Sequence, residues 1–543
     1  MNNAIFKYDL PKNEPILGYL PGSPERKELE KEIQRLSNEV IDIPLIIGGK
    51  EIRTGNLGKV VMPHNHSHVL ATYHKAGDEE VKMAINAALK AHEYWANVSW
   101  VERLSINVKI AELISKKYRG LINASTMLGQ SKNIYQAEID SACETIDFLR
   151  FNAYYLAKIY SYQPLMDTST INRMEFRPLE GFIFAVSPFN FTSISSNLSM
   201  SPVVMGNTVV WKPASTAILS NYFLMKIYQE AGVPDGVINF VPGQGSIIGN
   251  IVLNHPDLAG IHFTGSTATF NGFWKTIGNN LEHYHSYPRI VGETGGKDFV
   301  FLHSSADVDE AATALIRGAY EYQGQKCSAA SRAYVPQSLW PRLKDKMLEM
   351  LKEIKIGPPT EYENFVNAVI EESAFDKIMH YIDFAKSSSE AEIIWGGKGD
   401  KSIGYYIEPT IILTTNPHFK TMEEEIFGPV LSVYVYQDDK FEETLQLCDK
   451  TSPYGLTGAV FAKDRKALNH ACEVLKYAAG NFYFNDKPTG AVVAQQPFGG
   501  SRASGTNDKA GGPINLLRWT STRAIKENLM PPTDYKYPYM GVK

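Results

Sequence analysis

Apolar and polar residues alternate in two regular ways between residues 208 and 264. Residues 208–211, 237–241 and 260–263 are short apolar runs of the kind found in buried strands. After the first run, apolar side chains recur at every fourth position and predict a helix, at Leu219, Phe223, Ile227 and Ala231. A glycine- and proline-rich turn at 232–236 ends that helix, and a short helix is predicted from Gly245. Strands that alternate with helices predict βαβ units and a parallel sheet.

The same alternation returns after residue 297. The sequence predicts strands at 299–302, 331–335 and 431–436, and a helix at 341–356. Nearer the N-terminus, helical spacing predicts helices at 23–38, 81–97, 105–117 and 137–155. The predicted fold class is therefore α/β. Sheets of this kind bind nucleotides at the carboxyl ends of their strands, where helix N-termini point free N–H groups at phosphate.

Residues 181–211 contain no charged side chain, which raises the question of a membrane span. The stretch is rich in Ser, Asn and Pro, so it is too polar and too helix-breaking for a lipid-facing helix. We therefore expect a buried, polar-lined segment beside a site. Residues 1–11 lack an apolar signal core and are too short and mixed for a transit peptide.

Composition narrows the class of protein. The 543 residues include 54 Lys and Arg against 59 Asp and Glu, a net charge of −5, which does not favour nucleic acid or a membrane surface as a partner. Hydrophobic residues at 44% and charged residues at 21% exclude disorder as the main state. The length suggests roughly three to four domains, or two large ones. Four cysteines, none in a CxxC pair, argue for a reducing compartment and against a disulfide framework or a metal cluster.

Four residues have neighbours that suit catalysis or binding, and each has an ordinary alternative. Cys327 has small neighbours and follows Lys326, which favours a nucleophilic thiolate; the alternative is a buried packing residue. Glu293, between glycines, suits a general base or is a loop acid. Asn190 suits an oxyanion donor or is a turn former. Lys212 follows a strand and suits a ribose or phosphate, or is a solvated lysine.

Two glycine turns follow predicted strands. Gly243, Gly245 and Gly249 form GxGxxxG, one residue longer than the dinucleotide fingerprint, so alone it indicates a plain glycine-rich turn. The second turn contains Gly265 and Ser266, and Ser266 suits a helix cap or a phosphate ligand.

Seven motifs together resemble the aldehyde dehydrogenase superfamily, from about residue 45 to the end of the chain. They are PFNF (188–191), WKPAS (211–215), FTGST (263–267), GETGGK (292–297), GQKCSA (324–329), EEIFGP (424–429) and PFGGSRASG (497–505). Three further segments resemble the subgroup that oxidises glutamate semialdehyde: PGSPER (21–26), QAEID (136–140) and FNDKPTGAVVAQQPFGG (484–500).

The resemblance implies a reaction. Cys327 would attack the aldehyde to give a thiohemiacetal, and the Asn190 amide and the Cys327 N–H would stabilise the oxyanion. Hydride transfer to NAD would leave a thioester, and Glu293 would activate the water that hydrolyses it. The resemblance also assigns cofactor contacts, at Ser187, Lys212, Ser215, Gly265, Ser266, Glu425 and Phe427.

The same resemblance assigns the substrate. L-glutamate 5-semialdehyde, in equilibrium with 1-pyrroline-5-carboxylate, would be oxidised to L-glutamate in the second step of proline degradation. Glu138 would take its ammonium; the Ser328 hydroxyl and the N–H groups of Gly490 and Ala491 would take its carboxylate. Phe191 and Phe498 would flank the aliphatic middle. A polar site of this kind rejects substrates that leave its groups unpaired.

Two residues depart from the general family pattern. Phe270 stands where a second glycine is usual after Gly265, which we attribute to packing. Ser215 stands where NAD-preferring members often carry an acid that binds the adenosine ribose, and the loss of that charge removes one penalty against a 2′-phosphate. The resemblance to the subgroup implies NAD as the cofactor, with some use of NADP.

The resemblance further implies a Rossmann-type cofactor domain (46–158 and 181–296), a catalytic α/β domain (297–505) and a small β oligomerisation flap with a C-terminal tail (159–180 and 506–543). Residues 1–45 would be an N-terminal extension. A homodimer or higher homo-oligomer is expected, in the mitochondrial matrix for a eukaryotic source or the cytoplasm for a bacterial one. The alternatives are an enzyme for another semialdehyde, a cysteine hydrolase or acyltransferase that needs no redox cofactor, and an inactive binding protein of the same fold.

Overall fold

A computed structural model describes residues 6–541. The first five residues of the expected extension and the last two of the expected tail lie outside the described residues. The helices are Pro24–Asn38, Asp78–Trp95, Trp100–Leu113, Arg119–Gln130, Ile134–Ala137, Thr145–Tyr160, Thr192–Val204, Ile218–Ala231, Gly245–Leu253, Thr267–Asn279, Val308–Tyr320, Trp340–Glu353, Glu372–Lys386, Lys420–Glu423, Phe441–Lys450, Arg465–Val474 and Pro513–Leu517. Ile114–Tyr118 and Glu138–Glu144 are π-helical, and the short 3-10 turns are Ser215–Ala217, Leu281–His283, Glu321–Gly324, Asp438–Lys440 and Pro538–Met540.

Two seven-stranded sheets organise the chain. The first, here called the cofactor-side sheet, has the spatial order Arg289–Glu293, Leu258–Thr264, Phe182–Val186, Thr208–Lys212, Ile238–Phe240, Leu45–Ile47, Lys50–Ile52. Its first five strands run parallel to one another, and its last two pairings are antiparallel, so only Leu45–Ile47 runs in the opposite direction. The second, here called the catalytic sheet, has the order Ala391–Trp395, Thr410–Thr414, Val430–Tyr436, Ala330–Pro336, Asp298–Leu302, Thr457–Phe461, Asn481–Phe484. Only its first strand runs antiparallel to its neighbour.

Smaller sheets complete the fold. Ile41–Ile43, Asn65–His74 and Leu57–Met62 form a three-stranded sheet. Thr170–Arg177 pairs antiparallel with Ser521–Asn528 over eight residue pairs. Short two-stranded pairs join Lys355–Ile356 to Asn364–Val366, Gly399–Asp400 to Tyr406–Ile407, and Tyr454–Gly455 to Ser501–Arg502.

Both faces of each large sheet are covered. Phe182 and Phe184 belong to one hydrophobic cluster, while the alternate residues Ile183 and Ala185 belong to another. In the strand Asp298–Leu302 the side chains alternate in the same way between two other hydrophobic clusters. Strands that are buried on both faces are apolar throughout, which is why these runs were readable in the sequence. The α/β prediction is confirmed.

Most predicted elements are present, with shifts at their ends. Ser23 caps the helix Pro24–Asn38 by accepting a hydrogen bond from the N–H of Arg26, and Gly232, at φ 98°, ends the helix Ile218–Ala231. The helix predicted at 341–356 was too long: it ends at Glu353, because Lys355–Ile356 leaves the helix to pair with a strand.

The charge-free stretch forms a strand, a helix and a strand, nearly all buried. No helix within residues 6–541 is long and apolar enough to cross a membrane. Ahead of the antiparallel strand Ser521–Asn528, Trp519 is buried in the core of the cofactor-side sheet, and its carbonyl accepts a hydrogen bond from Asn207.

Candidate active site

Cys327 lies between the two large sheets, in the segment that leads into the strand Ala330–Pro336. The backbone before it is held in an uncommon form, because Tyr322 and Gln323 both have positive φ, 51° and 56°. The buried Gln323 amide donates to two carbonyl oxygens, those of Ser131 and Ala368, at 3.0 and 2.9 Å. Gly296 lets the segment approach closely, since a Cβ there would lie 2.3 Å from the Cys327 carbonyl oxygen. The thiol therefore sits at a fixed place, facing two cavities.

Glu293 is the last residue of its strand in the cofactor-side sheet, and the thiol of Cys327 donates a hydrogen bond to its Oε1 at 3.5 Å. Burial raises the pKa of the Glu293 carboxyl to about 7. Burial and the neighbouring Glu293 carboxylate hold the pKa of the Cys327 thiol well above its usual range. At neutral pH the pair can therefore hold a proton on sulfur and pass it to the carboxylate.

Asn190 is almost fully buried, and its side-chain amide donates to the Gln325 carbonyl oxygen at 3.1 Å, two residues before Cys327. The following helix, Thr192–Val204, begins at a buried carboxylate. Asp140 accepts the N–H groups of Thr192 and Ser193 at 3.0 and 2.9 Å. The carboxylate complements the positive helix N-terminus and fixes the loop that carries Asn190.

A cavity of about 910 Å³ opens at the carboxyl ends of the parallel strands of the cofactor-side sheet and reaches Cys327. Six of the seven predicted cofactor residues line it: Ser187, Lys212, Gly265, Ser266, Glu425 and Phe427. The seventh, Ser215, is exposed in the turn Ser215–Ala217, and Ala214 lines the cavity instead. Ser266 caps the helix Thr267–Asn279 by accepting the Thr269 N–H at 3.2 Å.

The residues of this cavity suit a dinucleotide. Burial lowers the pKa of Lys212, and within residues 6–541 no carboxylate or hydrogen-bond acceptor compensates its ammonium. The helix Gly245–Leu253 starts at the cavity without a side-chain cap, so its N–H groups are free for phosphate oxygens. A Cβ at Gly249 would contact no atom within 4 Å, which leaves room for a ligand. At the other end, Glu425 accepts the Gly296 N–H at 3.0 Å.

Phe270, which departs from the general family pattern, packs and does not line this cavity. Its ring stacks on Phe263 with centroids 5.7 Å apart. A Cβ on Gly292 would lie 2.2 Å from the Phe270 ring, so the phenylalanine takes the space that the glycine leaves. The dinucleotide cavity is intact beside it.

A second cavity, of about 470 Å³, also reaches Cys327. Its lining brings together Glu293 and five predicted substrate residues: Phe191, Ser328, Gly490, Ala491 and Phe498. The Ser328 hydroxyl lies 2.8 Å from the Thr489 hydroxyl, at the start of the loop that carries Gly490.

Glu138 does not lie where the resemblance assigned it. Its side chain is fully buried, is not part of the cavity lining, and pairs with Arg119. Its oxygens also accept the Leu17 N–H at 2.9 Å and the Tyr19 hydroxyl at 2.7 Å. With its acceptor positions occupied by protein donors, Glu138 has none left for a substrate ammonium, and that assignment is corrected.

Sequence reasoning missed several residues that line the substrate cavity, among them Lys487, Asn13 and Glu14. Lys487 lines the substrate cavity, and its Nζ lies 3.1 Å from the position of a Cβ on Gly490; its position inside the quoted FNDKPTGA segment was the available signal. Asn13 and Glu14 line the same cavity. No periodicity marks residues 6–20, so the sequence offered no signal for them.

Comparison with known proteins gives a consistent result. The profile of the aldehyde dehydrogenase family matches residues 53–525. The mitochondrial delta-1-pyrroline-5-carboxylate dehydrogenase of Dictyostelium discoideum is 54% identical over 533 residues, which cover 98% of this chain and 96% of that protein. The human mitochondrial enzyme of the same name is 48% identical, covering 97% and 94%. The crystal structure of the delta-pyrroline-5-carboxylate dehydrogenase from Mycobacterium tuberculosis bound with NAD superimposes with a TM-score of 0.96 at 48% identity, covering 99% of this chain and all of that one.

Proposed function

The chain belongs to the aldehyde dehydrogenase family, and from that starting point we propose that it oxidises L-glutamate 5-semialdehyde, in equilibrium with 1-pyrroline-5-carboxylate, to L-glutamate with NAD. This is the second step of proline degradation. The observation that carries the proposal is the position of the Cys327 thiol, which faces both cavities and lies beside Glu293. The names of the Dictyostelium and human relatives support the choice of substrate.

The first step is attack on the aldehyde carbon. The Cys327 sulfur forms the new bond while its proton passes to Glu293, which already accepts its hydrogen bond. The carbonyl oxygen becomes an oxyanion, and the Asn190 side-chain amide and the Cys327 N–H stabilise it. Removing one such donor typically costs about 10²–10³ in rate.

The next steps convert the thiohemiacetal to the acid. When bound, NAD supplies the acceptor for the aldehyde hydrogen, which leaves a thioester on Cys327. Lys212, Ser266 and Glu425 would hold the cofactor at the larger cavity. Glu293 first releases to solvent the proton that it took from Cys327, and it then takes a proton from the water that attacks the thioester; its pKa of about 7 suits a base at neutral pH. The C–S bond breaks, which releases the acid and restores the sulfur of Cys327.

The carboxylate end of the substrate is recognised at the smaller cavity. The Ser328 hydroxyl and the N–H groups of Gly490 and Ala491 line it, with Phe191 and Phe498 as its apolar sides. A substrate without a carboxylate would leave these donors unpaired, and the free energy lost in this way makes the site discriminate against such a substrate.

Lys487 adds a positive charge at the same place. Glu321, the nearby acid, is already paired with Lys326 and Arg317, each at 2.9 Å. Burial lowers the pKa of Lys487, and within residues 6–541 it has no ion-pair partner of its own. Arg317, Lys326 and Lys487 face two carboxylates, those of Glu321 and Asp486, which leaves one excess positive charge beside Gly490. The substrate carboxylate would neutralise it.

NAD is the proposed cofactor, with some use of NADP. The position that often carries an acid in NAD-preferring members is Ser215, which is exposed and uncharged. No carboxylate at that position repels a 2′-phosphate, so discrimination against NADP depends on weaker contacts.

We also propose a homodimer or higher homo-oligomer. The antiparallel pair Thr170–Arg177 and Ser521–Asn528 stands at the surface, followed by exposed apolar residues, among them Leu529, Met530 and Tyr535. Exposed apolar patches of this kind are typical of subunit interfaces. The names of the Dictyostelium and human relatives support a mitochondrial location if the source is eukaryotic.

The function is tested by incubating the protein with 1-pyrroline-5-carboxylate and NAD and measuring NADH and L-glutamate. Equal amounts of the two products are expected. Ester hydrolysis without any NADH formation from the aldehyde would instead support the cysteine hydrolase alternative, which leaves the larger cavity and Lys212 without a purpose.

A further inference from the structure

The N-terminal segment runs along the substrate cavity. Asn13, Glu14 and Ile16 line the same cavity as Cys327 and Gly490. The match to the general aldehyde dehydrogenase profile begins only at residue 53. This part of the cavity wall is therefore additional to the general family pattern.

One end of this wall is fixed by Glu138. Its carboxylate accepts the Leu17 N–H at 2.9 Å and the Tyr19 hydroxyl at 2.7 Å. Arg119 and Asn123 donate to the same carboxylate, Arg119 through Nε at 3.2 Å and Asn123 at 2.8 Å. A buried carboxylate is stable only when its acceptor positions are filled, so Glu138 couples the N-terminal segment to the helix Arg119–Gln130.

The other end is fixed on the substrate loop. The Asn13 amide donates to Asp147 at 2.8 Å and to the Val493 carbonyl oxygen at 3.0 Å, and its oxygen accepts from Gln495 at 2.9 Å. The Glu14 N–H donates to Asp147 at 2.7 Å. Val493 and Gln495 lie two and four residues after Ala491 in the chain, so Asn13 holds the loop that lines the carboxylate end.

We propose that residues 13–19 form a strap that makes the substrate site selective for an amino-acid semialdehyde, with Glu138 and Arg119 as its positioning residues; this rests on the function proposed above. The strap closes the cavity beside the loop of Gly490 and Ala491 and fixes the position of their N–H groups. A short aldehyde without a carboxylate does not use that loop. Loosening the strap therefore weakens binding of the semialdehyde selectively.

The first experiment compares Asn13→Ala with Asn38→Ala in the full-length protein. Asn38 is a matched control because its amide is exposed and donates only to the Gln34 carbonyl oxygen, within its own helix. kcat/KM is measured with 1-pyrroline-5-carboxylate and with propanal, both with NAD. N13A is expected to lose about tenfold on the semialdehyde, mostly through KM, and less than about twofold on propanal. N38A is expected to change neither.

The outcomes separate the two proposals. If wild-type protein forms no NADH from 1-pyrroline-5-carboxylate, the proposed function and the strap both fail. If the wild type is active but the kcat/KM of N13A falls equally with both substrates, the strap is overturned while the function stands. The same conclusion follows if the kcat/KM of N13A falls with neither substrate.

A second readout does not depend on turnover. Lys12 is exposed and directly precedes the strap, so trypsin can cut there only when the backbone around it opens. L-glutamate, the proposed product, should slow cleavage after Lys12 severalfold in the wild type and much less in N13A. Cleavage at the same rate with and without L-glutamate in a wild type that turns over the semialdehyde would overturn the strap.

Discussion

The thiol of Cys327 donates a hydrogen bond to Oε1 of Glu293 across 3.5 Å. Glu293 ends a strand of the cofactor-side sheet, whereas Cys327 lies just before a strand of the catalytic sheet. The nucleophile and its base therefore meet only where the two halves of the fold come together. Both cavities reach Cys327, and Glu293 lines the smaller one.

Cys327→Ala should lower turnover by about 10⁴-fold or more, because no other group supplies the sulfur. NAD binding, measured by calorimetry, should stay near the wild-type value, since Lys212 and Glu425 are untouched. Cys472→Ala is the control, because Cys472 is a partly exposed cysteine on a helix outside both cavities. Substantial residual activity in C327A would refute the assigned nucleophile.

The buried carboxyl of Glu293 should determine the pH dependence of thioester hydrolysis. Its pKa is raised to about 7, so the carboxylate that acts as base is lost as the pH falls through 7 and gained as it rises. Glu293→Gln should still give a burst of NADH, formed more slowly because the thiol must then pass its proton to water, followed by slow turnover whose rate no longer rises with pH. Rapid-mixing assays between pH 5 and 9, a range of about two units on each side of that pKa, measure both. A rate of thioester hydrolysis that rises near the ordinary carboxyl pKa, or the absence of an NADH burst in E293Q, would contradict the role of Glu293 as the base.

The charge of Lys487 should favour substrates with a carboxylate. Lys487→Met should lower kcat/KM for 1-pyrroline-5-carboxylate by about tenfold and leave propanal nearly unchanged, and Lys487→Arg should recover part of the loss. Lys476→Met, at an exposed position, is the matched control. An equal loss on the two aldehydes would show that Lys487 supports only the fold.

Glu138 should act through the strap and not on the ammonium. Glu138→Ala should raise KM for the semialdehyde about tenfold, as N13A does, and the double variant should lose little beyond the worse single variant, because both changes release the same strap. Glu138→Gln, which keeps an acceptor oxygen, should lose less. Steady-state kinetics of the wild type and these four variants test this. Losses of kcat/KM that add in the double variant would restore an independent role for Glu138.

The sequence predicted the sheets and the catalytic centre better than the substrate site. Strands such as Phe182–Val186 are apolar on both faces, so their runs are visible without a structure. Cys327 and Glu293 lie in compact motifs, and the resemblance of these motifs to a known family assigned the role of each side chain, which the neighbouring residues alone left open.

The errors have a physical cause. The role of Glu138 was assigned from the resemblance of the QAEID motif. In the structure Glu138 begins a π-helical stretch, Glu138–Glu144, and Arg119 and the Leu17 N–H occupy its carboxylate. Its contact with Tyr19 joins residues 119 positions apart, and the segment that contains Asn13 has no periodic pattern. Contacts of this kind depend on how distant segments meet, which a single sequence does not reveal.

The central claim is that this site oxidises a semialdehyde carrying an α-amino acid end. The most direct test is kcat/KM for 1-pyrroline-5-carboxylate and for succinic semialdehyde, each with saturating NAD and measured as NADH formation. We predict a preference for 1-pyrroline-5-carboxylate of at least about tenfold, because succinic semialdehyde is one carbon shorter, so its carboxylate meets the donors of Ser328, Gly490 and Ala491 less well when its aldehyde lies at Cys327. A higher value for succinic semialdehyde would contradict the assignment.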